Sequence, residues 1–185
     1  MVLLIVGAAM ATAVIWAVSA RRRLAVLDEN AGNAMNQIGV QLASRLDAVT
    51  ALVDLTKRYA DQEFRTMTAA IRSRCGAITA SSTPDEVAKQ EGMISETLDR
   101  VSMVAERHPE LKADGNYARC MNAVDSYEKM VRTSRLIYND SVTRLNREIR
   151  MFPASLLAGI LGFRQRAYLE TEERGASAPD KMLSV

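Results

Sequence analysis

The chain has 185 residues, of which 48% are hydrophobic and 25% are charged, a balance typical of an ordered protein with its own core. Its formal net charge of +2 is too weak to indicate nucleic-acid binding, so we expect no nucleic-acid partner. Long proline-free stretches rich in Ala, Leu, Arg, Glu and Met favour helix over strand, and the predicted fold class is all-α.

The first predicted element is a transmembrane anchor at residues 1–20. This segment contains no charged side chain, and as a helix it would span roughly 30 Å, the thickness of a hydrocarbon core. A cleaved signal peptide is the alternative, because Val18-Ser19-Ala20 resembles a small-residue cleavage site. However, no basic residue precedes the apolar run, and Arg21-Arg22-Arg23 follows it directly, as at a membrane surface. We therefore predict an uncleaved, single-pass anchor with the lipid bilayer as a partner.

The three arginines after the anchor also bear on orientation. Positive residues beside a membrane span stay on the cytoplasmic side, and this cluster lies after the helix. The predicted location of the soluble part is therefore the cytoplasm. The alternative is that the arginines only bind anionic headgroups.

Between about residues 24 and 79, apolar residues recur every three or four positions, which predicts one long helix continuous with the anchor. Gly32 and Gly39 are expected to weaken this helix by about 1 kcal/mol each. The stripe consists of Leu24, Leu27, Ala31, Met35, Ile38, Leu42, Leu46, Val49, Leu52, Thr56, Ala60, Phe64, Met67 and Ile71.

The second main helix is predicted to start at Thr83-Pro84-Asp85-Glu86, where Thr83 is the N-cap and Glu86 closes a capping box. It should run to about His108 and end before Pro109.

A third helix is predicted from about residue 116 to residue 152, before Pro153, and a short apolar helix at residues 156–161 follows. The apolar residues of the third helix recur at a spacing of seven, which is typical of coiled-coil packing. The two seam lines are Val124, Val131, Tyr138, Leu145 and Phe152, and Met121, Glu128, Arg135, Val142 and Ile149. Residues 171–185 are small and polar and are predicted to be a disordered tail.

Two charged residues interrupt the second seam line. Glu128 and Arg135 are about 10 Å apart along one helix and cannot pair with each other, so each needs a partner on another helix. Arg45 and Asp47 are the candidates. The pairs either fix helix register or form a polar internal pocket.

Asn139 and Asn146 flank the same seam, seven residues apart. They serve either helix-packing hydrogen bonds or a polar stripe that binds another protein.

Several short motifs occur in one order between about residues 35 and 170. They are Val40-Gln41-Leu42, Arg45, Asp47, Leu52-Val53, Lys57, Tyr59-Ala60, Glu63, His108-Pro109-Glu110-Leu111-Lys112-Ala113, Glu128, Arg135, Tyr138-Asn139, Asn146, Ile149, Phe152-Pro153, Ala158, Gly162-Phe163, Tyr168 and Glu170. Together they resemble the LemA family. The chain departs from the family pattern where His108 replaces an aromatic residue, and where Ala48-Val49-Thr50 replaces a proline-containing motif, so no proline bends the first helix there.

The resemblance implies a protein of the bacterial inner membrane, with one transmembrane helix and a long antiparallel helical bundle. The predicted architecture is accordingly an anchor at residues 1–20 and a LemA-like bundle at residues 24–170, with three main helices and a short C-terminal helix. The resemblance implies no established biochemical activity.

No catalytic, phosphate-binding or metal-binding motif accompanies this pattern. The lone histidine, His108, is interpreted as a helix-end residue, and Cys75 and Cys120 as two buried thiols whose pairing the sequence leaves undecided. We therefore predict that the protein is not an enzyme and has no cofactor.

Two functional hypotheses follow. The first is a membrane-tethered interaction or scaffold module with an unidentified protein partner, and homo-oligomerisation stays open. The alternative is a sensory or small-ligand-binding bundle that uses a polar internal pocket.

Overall fold

The computed structural model describes residues 1–60 and 62–169, without the side chains of residues 62, 63 and 65–68. The described part is all-α. Its helices are α1 (Val2–Thr56), α2 (Gln62–Arg74), α3 (Pro84–Arg107), α4 (Pro109–Lys112), α5 (Gly115–Arg150) and α6 (Ala154–Leu161). The fold class is therefore confirmed, whereas the tail predicted at residues 171–185 lies outside the described residues.

Helix α1 runs without interruption from the apolar N-terminal segment into the bundle, as predicted. Residues 1–16 are exposed, and the buried positions begin with Ala20 and Leu24. Within the described residues, α1 is the one helix long and apolar enough to cross a membrane, and protein does not bury its apolar stretch. The N-terminal segment of α1 is thus exposed and apolar on all sides, whereas the rest of the helix has a single buried stripe.

The prediction of one helix up to residue 79 is wrong. Helix α1 ends at Thr56, the chain resumes as α2 at Gln62, and residues 75–83 are not helical. Arg72 on α2 forms an ion pair of 3.4 Å with Asp47, so α2 turns back along α1. Phe64 is nevertheless buried in the same core, and Ile71 is buried as well. Because a helix that reverses keeps its apolar spacing, the periodicity hides the break.

The glycines of α1 have a packing role that the sequence did not suggest. A Cβ at Gly39 would collide with the backbone carbonyl of Ile78, and one at Gly32 would lie 3.2 Å from the Cβ of Ala80. Gly32 and Gly39 are two helical turns apart and therefore lie on one face of α1. The non-helical segment 75–83 can pass close to α1 because this face carries no side chains at these two positions.

Helix α3 begins as predicted. The N–H of Glu86 donates to Oγ1 of Thr83 at 3.3 Å, and the N–H of Thr83 donates to Oε2 of Glu86 at 2.9 Å. This reciprocal capping box satisfies two otherwise unpaired donors. At the other end, the ring of His108 packs against that of Tyr59, with centroids 5.3 Å apart, so the end of α3 meets the end of α1.

Helix α5 is antiparallel to α1 and forms the main core contact with it. Arg23 pairs with Glu148 at 3.5 Å, and Arg45, further along α1, pairs with Glu128, earlier on α5, at 3.2 Å. The predicted seam residues Val124, Val131, Tyr138 and Leu145 are all buried. Their apolar spacing is compatible with coiled-coil packing, which stays a prediction.

The assignment of Phe152 to this seam is wrong. Helix α5 ends at Arg150, and the side chain of Phe152 is 79% exposed. Since Phe152 lies beyond the helix, its seven-residue spacing from Leu145 no longer places it on the buried face.

Candidate functional site: polar contacts and grooves around α1 and α5

The first predicted charged pair forms between the two longest helices. Nη2 of Arg45 lies 3.2 Å from Oε2 of Glu128, and the Arg45 residue is only 5% exposed. Glu128 also accepts a hydrogen bond of 2.9 Å from Arg132, one turn along α5. A buried arginine whose charge is matched across two helices disfavours any shift in their register, because a shifted helix would leave it unpaired.

Arg135 has a different partner from the one predicted. Its Nη2 lies 2.6 Å from Oε2 of Glu91 on α3, and both side chains are mostly buried. Asp47, the predicted partner, is exposed and pairs with Arg72 instead. The expectation failed because the spacing on α5 shows that Arg135 needs a carboxylate, but not which helix covers that side of α5.

Both arginines keep one donor without a partner. The Nε atoms of Arg45 and Arg135 are buried and make no hydrogen bond within the described part of the chain. A buried donor without an acceptor costs free energy, so each Nε favours an oxygen acceptor, such as a water molecule or a small anion.

Asn139 and Asn146 bind the chain itself. Asn146 donates through Nδ2 to the carbonyl of Arg166 and accepts from the N–H of the same residue, both at 2.9 Å. Asn139 makes the same two contacts with Leu169, again at 2.9 Å. Each amide side chain thus pairs with one backbone residue as a neighbouring β-strand would. These contacts hold residues 163–169, the C-terminal strap, along α5.

Arg166 connects this strap to two other elements. Its Nε donates to Oδ1 of Asp28 on α1 at 2.9 Å, and its Nη1 donates to the carbonyl of Ala80 at 3.0 Å. The hydroxyl of Tyr138 donates to the carbonyl of Ala167 at 3.0 Å. Burial raises the pKa of Tyr138, and the nearby Arg166 charge lowers it to a smaller extent. The strap is therefore held by polar contacts from α1, α5 and the segment 75–83.

Sequence reasoning missed Asp28, Glu91 and Arg166. Asp28 and Arg166 lie 138 positions apart, and nothing in their neighbourhoods distinguishes them from exposed charges. The only available signal was the family-like pattern around Gly162-Phe163 and Tyr168, which marked the strap without naming its partners.

Two open grooves lie between α1 and α5. One, of about 410 Å³, is lined by Leu27, Asn30, Asn33, Ala34, Gln37, Ile137, Asp140, Ser141 and Arg144. The other, of about 330 Å³, is lined by Ser44, Asp47, Ala48, Arg119, Cys120, Ala123 and Tyr127. Val40 and Met130, both exposed, fall between them in sequence. We call the surface formed by the two grooves, Val40 and Met130 the groove face.

Neither groove is lined by Arg45 or Arg135, so the buried charged pairs and the grooves are separate features. The six predicted site residues therefore do not share one pocket lining. Arg45 and Glu128 pair with each other, Arg135 pairs with α3, and the two asparagines bind the strap.

The cysteines and acidic residues do not assemble a metal site. Among residues 1–60 and 62–169, no three His, Cys, Asp or Glu side chains lie close enough to hold a metal ion. Cys75 and Cys120 are free thiols and are half-buried, not buried as expected. Partial burial raises the pKa of Cys75, so its reactive thiolate form is disfavoured.

Comparison with known proteins decides the family. The LemA family profile matches residues 34–181, which includes α3, α5, α6 and most of the bundle part of α1. The chain belongs to the LemA family. The LemA match, together with the exposed apolar start of α1, supports a membrane-associated protein.

Two curated relatives are the magnetosome proteins MamQ 1 and MamQ 2 of Paramagnetospirillum magneticum (strain ATCC 700264 / AMB-1). Each is 28% identical to this LemA protein over 85 residues, which cover 46% of this chain and 31% of the relative. The match thus spans less than a third of either relative.

Proposed function

We propose that this LemA protein is a non-enzymatic interaction module, anchored in the bacterial inner membrane, that binds a protein partner through the groove face. The observation that carries the proposal is the exposure of apolar side chains along that face. Val40, Met130 and Ile137 are each between 45% and 58% exposed, although they lie on the two best-packed helices of the bundle.

The composition of the groove face supports binding to a protein. The lining of the groove of about 410 Å³ combines apolar side chains with amide and hydroxyl groups and with the charged Asp140 and Arg144. A central apolar area with a polar rim is the usual arrangement of a protein interface. Two helices packed through a continuous core also present this surface rigidly, which lowers the entropy lost on binding.

The position of the groove face along α1 supports a partner close to the membrane. The groove residues of α1 extend from Leu27 to Ala48, which corresponds to about 10 to 40 Å beyond the end of the predicted anchor at residue 20. A partner bound there would lie within about 40 Å of the hydrocarbon core of the membrane.

Photo-crosslinking in cells tests the proposal. A photoreactive amino acid at Gln37 or Ile137, on the groove face, should yield a covalent product of defined mass. The matched control is Asp99, an exposed residue of α3. A product of twice the chain mass would identify a second copy as the occupant. Equal crosslinking at Asp99 and at the groove positions would contradict a specific interface.

Orientation belongs to the same proposal. Arg21-Arg22-Arg23 is exposed directly after the predicted anchor and favours a cytoplasmic bundle. Fusing green fluorescent protein or alkaline phosphatase after Val185 distinguishes the cytoplasmic from the outer side of the membrane. Green fluorescence without phosphatase activity is expected, whereas phosphatase activity without fluorescence would place the bundle outside.

A second candidate function is a small-anion sensor. It is favoured by the buried Nε donors of Arg45 and Arg135, which have no partner in the described part of the chain. Phosphate, sulfate and small carboxylates should then raise the unfolding temperature of the natural protein but not of Arg45→Met/Arg135→Met. No shift across these anions would exclude this function.

A further inference from the structure

Helix α6 lies at the end of the bundle where α1 leaves the apolar anchor. The ion pair between Arg23 and Glu148 places the last turn of α5 beside α1 just after residue 20. Helix α5 ends at Arg150, and α6 begins at Ala154 and contacts both α1 and α5. The membrane-proximal position of α6 thus follows from the antiparallel register of the two long helices.

One side of α6 packs on the bundle and the other is exposed and apolar. Ala154 and Ala158 are buried, whereas Leu156 and Ile160 are 64% and 81% exposed. Phe152, just before the helix, is also 79% exposed. Leu156 and Ile160, four residues apart, lie on a common side of the helix, away from the two alanines. The bundle therefore leaves this apolar side without a protein partner within the described residues.

The charges around α6 fit a membrane surface. Residues 151–163 contain no charged side chain, and the exposed residues Arg147, Arg150 and Arg164 flank them. The exposed arginines at positions 21–23 follow the anchor at the same end of the bundle. An apolar helix face bordered by basic residues is the pattern of a segment that lies in the interface of an anionic membrane.

We propose that α6, together with Phe152, inserts its exposed apolar side into the bilayer that holds the anchor. The inference rests on the proposed membrane anchoring, and it names the lipid surface as the occupant because α6 adjoins the segment that enters the membrane. The bundle then touches the membrane at two places. A single anchor leaves the bundle able to lean in any direction, whereas a second contact limits this motion and fixes which side of the bundle faces the membrane.

Tryptophan fluorescence of the full chain in phosphatidylcholine–phosphatidylglycerol vesicles tests this proposal. The natural Trp16, the only tryptophan, reports on the anchor. In the variant Trp16→Phe/Ile160→Trp, the emission maximum should be blue-shifted relative to tryptophan in water. The emission intensity should fall when brominated lipids replace ordinary ones. The matched control is Trp16→Phe/Ile137→Trp, because Ile137 is an exposed isoleucine on α5. Its emission should be quenched by aqueous iodide and not by brominated lipids.

The outcomes separate the possible occupants. Quenching of the tryptophan at position 160 by iodide alone would overturn the proposal, because that side would be in water. Protection from both quenchers would also overturn it, because protein, including a second copy, would then cover α6. If brominated lipids quench Trp16 but not the tryptophan at position 160, the anchor lies in the bilayer and α6 does not. If they quench neither, the anchoring itself fails.

Discussion

The helices and the non-helical segments of this bundle are held in different ways. Helices α1 and α5 meet through a long line of apolar residues, so their contact is distributed over many side chains. The segment 75–83 and the C-terminal strap are held by a few individual contacts, at Gly39, Asn139, Asn146 and Arg166. We therefore expect the loss of one or two of these few contacts to release the segment that they hold, while the helices stay packed.

The largest effect is expected from removing both strap-binding amides. Asn139→Ala/Asn146→Ala leaves the backbone groups of Arg166 and Leu169 without their partners, at a cost of roughly 2–4 kcal/mol in the free energy that holds the strap. Hydrogen exchange of the amides in residues 163–169 measures this change directly. Asn122→Ala, at an exposed position of the same helix, should leave their protection unchanged. Equal exchange in the two variants would contradict the assigned role.

A smaller effect is expected at Gly39. Gly39→Ala places a Cβ against the carbonyl of Ile78 and should lower the free energy of unfolding by about 1–3 kcal/mol, because the obstacle is backbone and cannot rotate away. The control is Gly92→Ala on α3, where an added Cβ meets nothing within 4 Å. That change should raise the stability by up to about 1 kcal/mol. Urea unfolding in detergent measures both, and effects of the same sign would count against a close passage of segment 75–83.

The Arg45–Glu128 pair comes next. Glu128→Gln leaves the buried Arg45 without its counter-charge and should cost roughly 1–2 kcal/mol, less than a fully buried pair because Glu128 is about one third exposed. Adding Arg45→Met should recover much of the loss, since no buried charge then remains. The surface pair Glu96–Arg100 is the control, and Glu96→Gln should change stability by no more than about 0.5 kcal/mol. A fully additive double variant would show that the two residues are not coupled.

The smallest effect is expected from high pH. Because the pKa of Tyr138 is raised on folding, its contribution is complete below its ordinary pKa of about 10 and is lost as the pH rises through the folded value. Ionisation also removes the proton donated to Ala167. Strap protection should therefore fall together with the appearance of phenolate absorbance. Tyr138→Phe should lower protection at neutral pH by about 0.5–1.5 kcal/mol and abolish this part of the pH dependence.

The same difference explains what the sequence predicts. The apolar stripe of α1 is a repeated pattern, and the capping box at Thr83 is a local one. The structure bears both out. The Arg45–Glu128 contact was predictable because a charged residue on a buried seam needs a partner. The break after Thr56 was not, since α2 keeps the periodicity while reversing direction.

The strap lay beyond sequence reasoning for another reason. An extended segment has no helical spacing, so nothing local indicates that Arg166 meets Asp28 or that Leu169 meets Asn139. The spacing of Asn139 and Asn146 marked them as a pair, and helix packing was the expected use. Their actual partner is the backbone of the strap.

The unbroken course of α1 has a mechanical consequence. About 54 Å of continuous helix separates Ala20 from Thr56, so the bundle cannot absorb a change in anchor angle by bending at a hinge between them. A tilt of about 10°, of the kind that a thinner bilayer imposes on a long apolar segment, would swing the far end sideways by about 9 Å. Bilayer thickness would thereby set how far to the side of the anchor a partner bound near the far end of α1 lies.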